Sequence, residues 1–324
     1  MDRLRYHPRV SETPSYDVPS RTVPSAAPSP GARRVTVSPR GRRWLGAPAF
    51  HAALFVLTGL TLAGCWALLF AGTAPWRLDV GAPYAVAVLA ILGAHEMGHW
   101  AACRIHGIRA TLPYFIPGFP LGTFGAVIRI RAPIPDRKAL FDVAAAGPIA
   151  GFVVALPILI HGVVTALPQT PLPPGVEPPV GMWHFGHSLL SRGLIQVIHG
   201  QPGDVLVGPS YVAAWFGLLV TSMNLFPVGQ LDGGHIAFSI SRRVHRTLSW
   251  ATVLGLATWV GSYSIVHLEM SGYLLWTVVL LFLRDRHPPV LDPRTSIGPT
   301  RMGVAVALGI LFVATFMPVP IGFE

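Results

Sequence analysis

The sequence predicts an all-α membrane protein, a polytopic helical bundle of about six or seven transmembrane helices with a small re-entrant β-hairpin. Three observations lead to this fold class. Hydrophobic residues make up 52% of the 324 residues and charged residues only 12%, a balance far from that of soluble domains. Several apolar runs approach the roughly 20 residues that cross a bilayer. One loop between them is too apolar for a solvated linker and too rich in Pro and Gly for a helix.

Six runs are predicted as transmembrane helices from their length and hydropathy. They are 48–71, 80–103, 139–167, 209–227, 248–266 and 303–322. A seventh run, 268–283, is shorter and contains Glu269, so the predicted count is six or seven. Cys65 and Cys103 lie in separate predicted spans, which indicates neither a disulfide nor a cysteine zinc site.

The net charge of +10 comes from basic residues in the loops that flank these runs. If the N-terminal tail is cytosolic and seven spans alternate, 22 of the 24 Lys and Arg residues lie on the cytosolic side, with only Arg77 and Arg192 outside. The positive-inside rule predicts such an asymmetry, which supports the seventh span. No nucleic-acid partner is expected, because binding DNA needs a folded basic surface.

The chain divides into three predicted regions. Residues 1–44 are rich in Pro, Ser and Arg, and we interpret them as a disordered basic cytosolic tail. A transit peptide is the alternative, because the stretch is Arg-rich and poor in acidic residues. Residues 45–284 form the transmembrane core, and residues 285–324 form a cytosolic loop followed by a C-terminal transmembrane helix.

The loop between residues 104 and 138 contains LPYFIPGFPLGTFGAVIRIRAPIP. Its second half, 123–131, is predicted as a strand, because apolar and basic residues alternate there and place Ile128 and Ile130 on one face. An apolar strand beside a membrane needs a partner for its backbone groups. We therefore expect a re-entrant hairpin packed within the protein, with an interfacial loop as the alternative.

Two histidines and a glutamate stand within the apolar run 80–103, as HEMGH at 95–99. Residues i and i+4 project from one face of a helix, so His95 and His99 can bind one metal ion while Glu96 addresses a water molecule on it. Ionisable side chains in an apolar span are costly unless they are paired, which favours a functional site. The alternative is that neighbouring helices satisfy all three side chains.

A catalytic zinc ion takes three protein ligands and leaves a fourth position for water, so a third ligand is required. The acidic residues near the predicted spans are Asp142, Asp232 and Glu269. Asp232 is favoured because it follows a span in NLFPVGQLDGGH, where Pro227 interrupts the helix and two glycines let the backbone bend. Asp142 remains the alternative ligand, against an ordinary role near a helix start.

The pair HEMGH and NLFPVGQLDGG resembles the two motifs of the site-two protease family of intramembrane zinc metalloproteases. The section between them, up to AAGPIAGF, resembles the branch that includes plastid homologues of plants and many prokaryotic enzymes. The resemblance runs from residue 93 to 234, with a weaker similarity in RHPPVLD at 286–292. This sequence lacks room for the PDZ domain that some members of the family carry. The resemblance implies an integral membrane protein, expected in a prokaryotic cell membrane with its N-terminus and active site toward the cytosol.

The resemblance also implies the site and the reaction. His95, His99 and Asp232 would hold one Zn²⁺ ion, and Glu96 would be the general base of peptide hydrolysis. Asn224 would donate a hydrogen bond to the substrate backbone or the developing oxyanion, although a polar contact between helices is the plainer interpretation. The implied substrates are membrane-anchored regulatory proteins, cut in or near their transmembrane segments during regulated intramembrane proteolysis.

A transmembrane substrate must be unwound before cleavage, because each of its peptide carbonyls is hydrogen-bonded within the helix. The predicted strand would pair with the unwound segment, so Gly125, Val127 and Ile128 are expected to contact substrate, together with Asn224. A noncatalytic membrane protein, such as a zinc transporter or an inactive scaffold, is the alternative function. A transporter would need polar groups on several spans, and an inactive relative would be expected to lose Glu96. The expected partners are transmembrane substrates and the lipid bilayer.

Overall fold

A computed structural model describes residues 47–168, 183–200, 205–267, 273–284 and 287–323 of the chain. The tail predicted at 1–44 lies outside these residues, as does Glu269. The described residues contain nine α-helices and six short β-strands. A mainly helical chain with a small antiparallel hairpin is therefore confirmed.

The helices and strands follow one another along the chain without a large sheet. The helices are α1 (Pro48–Leu69), α2 (Leu78–Ile105), α3 (Arg137–Val164), α4 (Leu189–His199), α5 (Pro209–Asn224), α6 (Asp232–Ile240), α7 (Arg242–His267), α8 (Leu274–Leu283) and α9 (Gly298–Thr315). The strands are β1 (Tyr114–Gly118), β2 (Gly122–Val127), β3 (Leu167–Pro168), β4 (Trp183–Phe185), β5 (Val205–Leu206) and β6 (Ile321–Phe323). They pair antiparallel as β1 with β2, β3 with β5, and β4 with β6.

Four of the described helices, α1, α2, α3 and α9, are long and apolar enough to cross a membrane. These helices indicate membrane association, but the predicted count of six or seven transmembrane helices is not confirmed. The run at 209–227 gives α5, which has 16 residues, and the run at 268–283 gives α8, which has ten. The helix α7 has 26 residues, but three of its first five are arginine.

Burial within the protein explains why α5 has the composition of a membrane span. Every residue from 211 to 219 is buried, and Tyr211 and Trp215 are completely so. The helices α2, α3 and α5 pack against one another around this stretch in the largest hydrophobic cluster of the described chain. A helix that is apolar on all sides is buried either in a protein core or in a membrane, and its sequence does not distinguish the two.

The hairpin of β1 and β2 runs along α1. At its base, the ring Nδ1 of His51 is 2.9 Å from the carbonyl oxygen of Pro113. Near its tip, the hydroxyl of Thr61 donates to the carbonyl of Gly122 at 2.7 Å. Thr61 lies ten residues beyond His51, so the tip is about 15 Å further along the α1 axis than the base. The hairpin therefore extends beside more than half of this apolar helix.

The strand β2 ends earlier than the sequence predicts. It stops at Val127 rather than at Arg131, and beyond it a single bridge joins Ala110 to Ile130. Pro113 lies on the opposite segment of the hairpin, between these two pairings, and has no N–H to donate. The ladder is interrupted there for this reason.

The segment that follows α8 docks against the start of α3 and against α6. The backbone N–H groups of residues 291–292 donate to the carbonyls of residues 134–135, at 3.1 and 2.8 Å. Val290 is buried in a small cluster with Leu140 and Phe238. These contacts hold the preceding His287 close to α6.

Candidate metal centre

His95 and His99 lie one turn apart on the buried face of α2. Helical periodicity places residues i and i+4 on one side, and their Nε2 atoms are 3.1 Å apart. The two residues are only 3% and 7% exposed, although both carry polar rings. Two ring nitrogens therefore converge on one point inside the protein.

The ring of His99 is oriented by the backbone of α3. Its Nδ1 lies 2.7 Å from the carbonyl oxygen of Val143, which can only accept a hydrogen bond. Nδ1 therefore carries the proton of the neutral ring, and Nε2 keeps a lone pair for a ligand. The sequence carries no signal for this contact, because every residue supplies a carbonyl.

Asp232, the first residue of α6, is brought to the two histidines by the turn after α5. Its Oδ2 lies 3.3 Å from Nε2 of His95 and 3.4 Å from Nε2 of His99. A β-carbon at Gly233 would overlap the carbonyl of Leu225, so the turn can fold back this tightly only with glycine. The DGG sequence thus gives both the carboxylate and the backbone path that delivers it.

These three side chains fit a zinc site. Their potential ligand atoms all lie within 4.8 Å of one another. Oδ2 of Asp232 is buried and has no hydrogen-bond donor among the described residues, a costly arrangement that a cation would relieve. Two imidazoles and one carboxylate are a known donor set for catalytic zinc, which keeps a further position for water.

Glycines on α3 make room for the two histidines. A β-carbon at Gly147 would overlap the imidazole of His99, and one at Gly151 would lie 3.1 Å from Cβ of His95. Both glycines belong to the stretch AAGPIAGF of α3. Because they carry no side chain, α3 can approach α2 closely and still leave the volume that the two rings occupy.

Glu96 lies beside the two histidines and is 8% exposed. The backbone N–H of Ile128, the residue that follows β2, lies near its carboxylate, and both residues border the same cavity. The hairpin and the HEMGH helix therefore meet at the site.

Asn224 is the last residue of α5 and is half-buried. Its Nδ2 lies 3.4 Å from Nε2 of His95. The turn between α5 and α6 therefore begins at Asn224, close to His95, and ends at Asp232, which also contacts His95.

A cavity of about 250 Å³ opens beside these side chains. The hairpin residues Ala126, Val127, Ile128 and Ile130 line it, and so do Asn224, Gln230, Leu231, Asp232 and His235 around the start of α6. Of the strand residues expected to contact substrate, Val127 and Ile128 border the cavity, whereas Gly125 does not. Gln230 was not predicted, and its position two residues before Asp232 was the only signal for it.

Asp142, the alternative third ligand, is engaged elsewhere. Both of its carboxylate oxygens lie 2.7 Å from the guanidinium of Arg301 on α9. Nε2 of His106 is a further partner at 2.9 Å. Asp142 therefore ties three helices together, and Asp232 is the acidic residue that the described structure brings to His95 and His99.

A comparison with known proteins identifies the family of the chain. A sequence model described as Peptidase family M50 matches residues 83–268, which include His95, His99, Asp142 and Asp232. This chain belongs to peptidase family M50. The resemblance to site-two proteases, predicted from HEMGH and NLFPVGQLDGG, is thereby confirmed. No solved structure matches the chain.

The curated relatives of this M50 chain include plant proteins. It is 34% identical over 247 residues to the probable zinc metalloprotease EGY2, chloroplastic, of Oryza sativa subsp. indica, which covers 74% of this chain and 43% of that protein. It is 32% identical over 255 residues to the Arabidopsis thaliana EGY2, covering 76% and 43%. The Arabidopsis EGY1 is 31% identical over 248 residues, covering 75% and 44%. The chain thus spans less than half of these relatives. All three are named chloroplastic, which does not support the expected prokaryotic membrane.

Proposed function

We propose that this M50 chain is an intramembrane zinc metalloprotease that hydrolyses peptide bonds in or near transmembrane segments of membrane-anchored regulatory proteins. One observation carries the proposal: Nε2 of His95, Nε2 of His99 and Oδ2 of Asp232 converge beside Glu96 among long apolar helices. The family match and relatives named as zinc metalloproteases support the metal and the reaction class.

Each side chain of the site has a distinct role in this proposal. His95, His99 and Asp232 hold the metal ion. When bound, zinc supplies the Lewis acidity that lowers the pKa of water to near neutrality. Glu96 takes the proton from the attacking water and passes it to the leaving amide nitrogen.

Asn224 donates a hydrogen bond to the substrate carbonyl as negative charge develops on its oxygen. Its position at the cavity, with Nδ2 3.4 Å from His95, supports this role. That distance lies beyond the usual range of a hydrogen bond, so the amide is not firmly held by the imidazole. It can turn toward a substrate when one is bound.

The substrate binds as an extended strand beside β2. One edge of β2 pairs with β1, and the N–H of Arg129 continues that edge toward Thr111, so the N–H of Ile128 lies on the other edge, near Glu96. N–H groups alternate between the two edges of a strand, so Ala126 and Ile130 share this open edge. Pairing here restores hydrogen bonds that the substrate loses on unwinding. Each buried backbone group left without a partner would cost about 1–3 kcal/mol. A carbonyl of the substrate accepts a hydrogen bond from the N–H of Ile128, and the carboxylate of Glu96 takes the proton of the water.

The active site faces the cytosol together with the N-terminus. The end of α2 and the starts of α3 and α9 meet through His106, Asp142 and Arg301. The start of α7 joins them, because Arg137 on α3 lies 3.4 Å from the carbonyl oxygen of Ile240 just before it. This end of the bundle carries most of the basic loop residues, which favours the cytosolic side. Cleavage products would then be released into the cytosol.

The proposal is tested with purified protein in lipid vesicles, loaded with zinc and mixed with a panel of model transmembrane peptides. The wild type is expected to cut within or near the apolar segment of at least one peptide. Glu96→Gln keeps all three ligands and should bind zinc normally, while cleavage falls by about 10²- to 10⁴-fold because the base is lost. Zinc is measured by elemental mass spectrometry. Substantial cleavage by Glu96→Gln, or none by the zinc-loaded wild type, would reject the mechanism.

A further inference from the structure

A second pair of imidazoles lies beside the cavity and has no role in the mechanism above. His235 is on α6, one turn after Asp232, and its ring borders the cavity. Its Nδ1 lies 2.8 Å from Nε2 of His287. The two residues are 52 positions apart in sequence, so the fold brings them together.

The ring of His287 is held in a fixed orientation. Nδ1 lies 2.7 Å from the carbonyl oxygen of Pro288. The ring stacks on Phe238 with centroids 3.7 Å apart and planes 8° from parallel. Val290, three residues later, is buried against the same phenylalanine. His287 is therefore anchored from two directions.

These contacts fix the proton positions in both rings. A carbonyl can only accept a hydrogen bond, so Nδ1 of His287 carries a proton and its Nε2 is the acceptor. Nδ1 of His235 must then donate to it, and the lone pair of His235 lies on Nε2. Burial lowers the pKa of His287 to about 3 and that of His235 to about 4, so both rings are neutral near pH 7.

Nε2 of His235 is open to the cavity. It has no hydrogen-bond partner among the described residues, and it is not among their buried polar atoms that lack one. Because His235 borders the cavity, this nitrogen is an accessible acceptor there. The side-chain amides of Asn224 and Gln230 can rotate to present a donor or an acceptor. The hydrogen bond from Nδ1 of His235 to His287 leaves Nε2 of His235 as an acceptor only.

We propose that Nε2 of His235 accepts a hydrogen bond from a backbone N–H of the bound substrate, and that His287 is the positioning residue that keeps this nitrogen unprotonated. The inference rests on the proposed function and extends it. A strand paired with the open edge of β2 turns its alternate N–H groups away from the hairpin, and these groups need acceptors on the opposite wall. His235 supplies one that requires no rearrangement.

Two substitutions at His235 separate the two ring nitrogens. In His235→Asn the amide can replace Nδ1 as donor to His287, but nothing replaces Nε2. In His235→Gln the longer amide reaches the position of Nε2. We expect His235→Asn to raise KM for a cleaved transmembrane peptide about tenfold, with kcat and bound zinc near wild type, because a substrate contact is lost. His235→Gln should recover most of this loss.

The substitution His287→Phe keeps the stacking on Phe238 but removes the acceptor for His235. It should raise KM by roughly threefold to tenfold without loss of zinc. Wild-type KM in both His235→Asn and His287→Phe would overturn the proposal. So would equal losses in His235→Asn and His235→Gln accompanied by loss of zinc, since that pattern indicates a purely structural role.

The proton positions can be measured without cleavage. Heteronuclear NMR of the ring nitrogens, in zinc-loaded protein with isotope-labelled histidine, should show His235 protonated at Nδ1 only, with assignment from the His235→Gln spectrum. In His287→Phe this preference should be lost. Protonation of wild-type His235 at Nε2 overturns the proposal even if the protein is an active protease. Failure of the wild type to cut any peptide, with the NMR result as expected, rejects the proposed protease instead.

Discussion

Gly147 on α3 lies so close to His99 on α2 that a β-carbon at position 147 would overlap Nε2 of the imidazole. Nε2 is the atom that faces His95 and Asp232. The absence of a side chain on one helix is therefore a condition for the metal site on the other.

Gly147→Ala should displace the ring of His99 and lower zinc affinity and cleavage together, by about tenfold or more. Overpacking also costs about 1–3 kcal/mol of stability. Zinc titration, peptide cleavage and thermal unfolding measure the three effects. Gly255→Ala on α7 is the matched control, because nothing lies within 4 Å of a β-carbon there. If Gly147→Ala binds zinc as tightly as Gly255→Ala, the close approach has no bearing on the site.

Asp232→Ala should weaken zinc binding by about 100-fold or more, because it removes a ligand rather than a supporting contact. Asp142→Ala is the matched carboxylate control. It should keep zinc near the wild-type level and lower the thermal stability instead, since it breaks the pair with Arg301. Zinc content after dialysis against a chelator of graded strength measures the difference. Full occupancy in Asp232→Ala would return Asp142 to consideration as a ligand.

Ile128→Pro should sharply reduce cleavage while bound zinc stays near wild type. The substitution removes an N–H from the edge of the hairpin that does not pair with β1, and with it one bond to the extended substrate. Ile128→Val keeps the N–H and most of the side chain, so it should cut at close to the normal rate. Val127→Pro is less informative, because the N–H of Val127 belongs to the edge that pairs with β1. Near-normal cleavage by folded Ile128→Pro would end the strand-addition hypothesis.

Cysteine labelling should place the N-terminal tail and the start of α7 on the same side of the membrane. In a chain with Cys65 and Cys103 replaced by alanine, Ser25→Cys and Arg243→Cys should react with an impermeant maleimide only from the cytosolic face. Ala71→Cys, between α1 and α2, should react only from the opposite face. Labelling of Ser25→Cys and Arg243→Cys from opposite faces would overturn the topology.

The sequence predicted the parts of the site that depend on local periodicity. The i, i+4 spacing of His95 and His99 and the glycines after Asp232 both describe short-range geometry, and the structure brings these residues together. The predicted six or seven spans are not confirmed, because burial in the protein and burial in a membrane give α5 the same apolar composition. An apolar sequence shows that a helix is kept away from water, but it does not show whether protein or lipid surrounds the helix.

Long-range contacts between polar residues could not be predicted in the same way. His235 and His287 are far apart in the sequence, and no spacing rule connects a residue on α6 with one after α8. The carbonyl of Val143 and the amide of Gln230 carry no signal beyond their neighbours in sequence. Such contacts depend on how the helices pack against one another, and the spacing of residues along the sequence does not give that packing.

The pairing of Asp142 with Arg301 bears on which piece of this chain can be produced as an independent unit. The family match ends at residue 268, before α9 begins. Yet Arg301 holds both oxygens of Asp142, and the next residue, Val143, supplies the carbonyl that orients His99. A fragment trimmed to the matched region would leave Asp142 without its guanidinium, one residue from the carbonyl bound by a metal ligand. We therefore expect the smallest stable fragment to extend past residue 268 and to include α9.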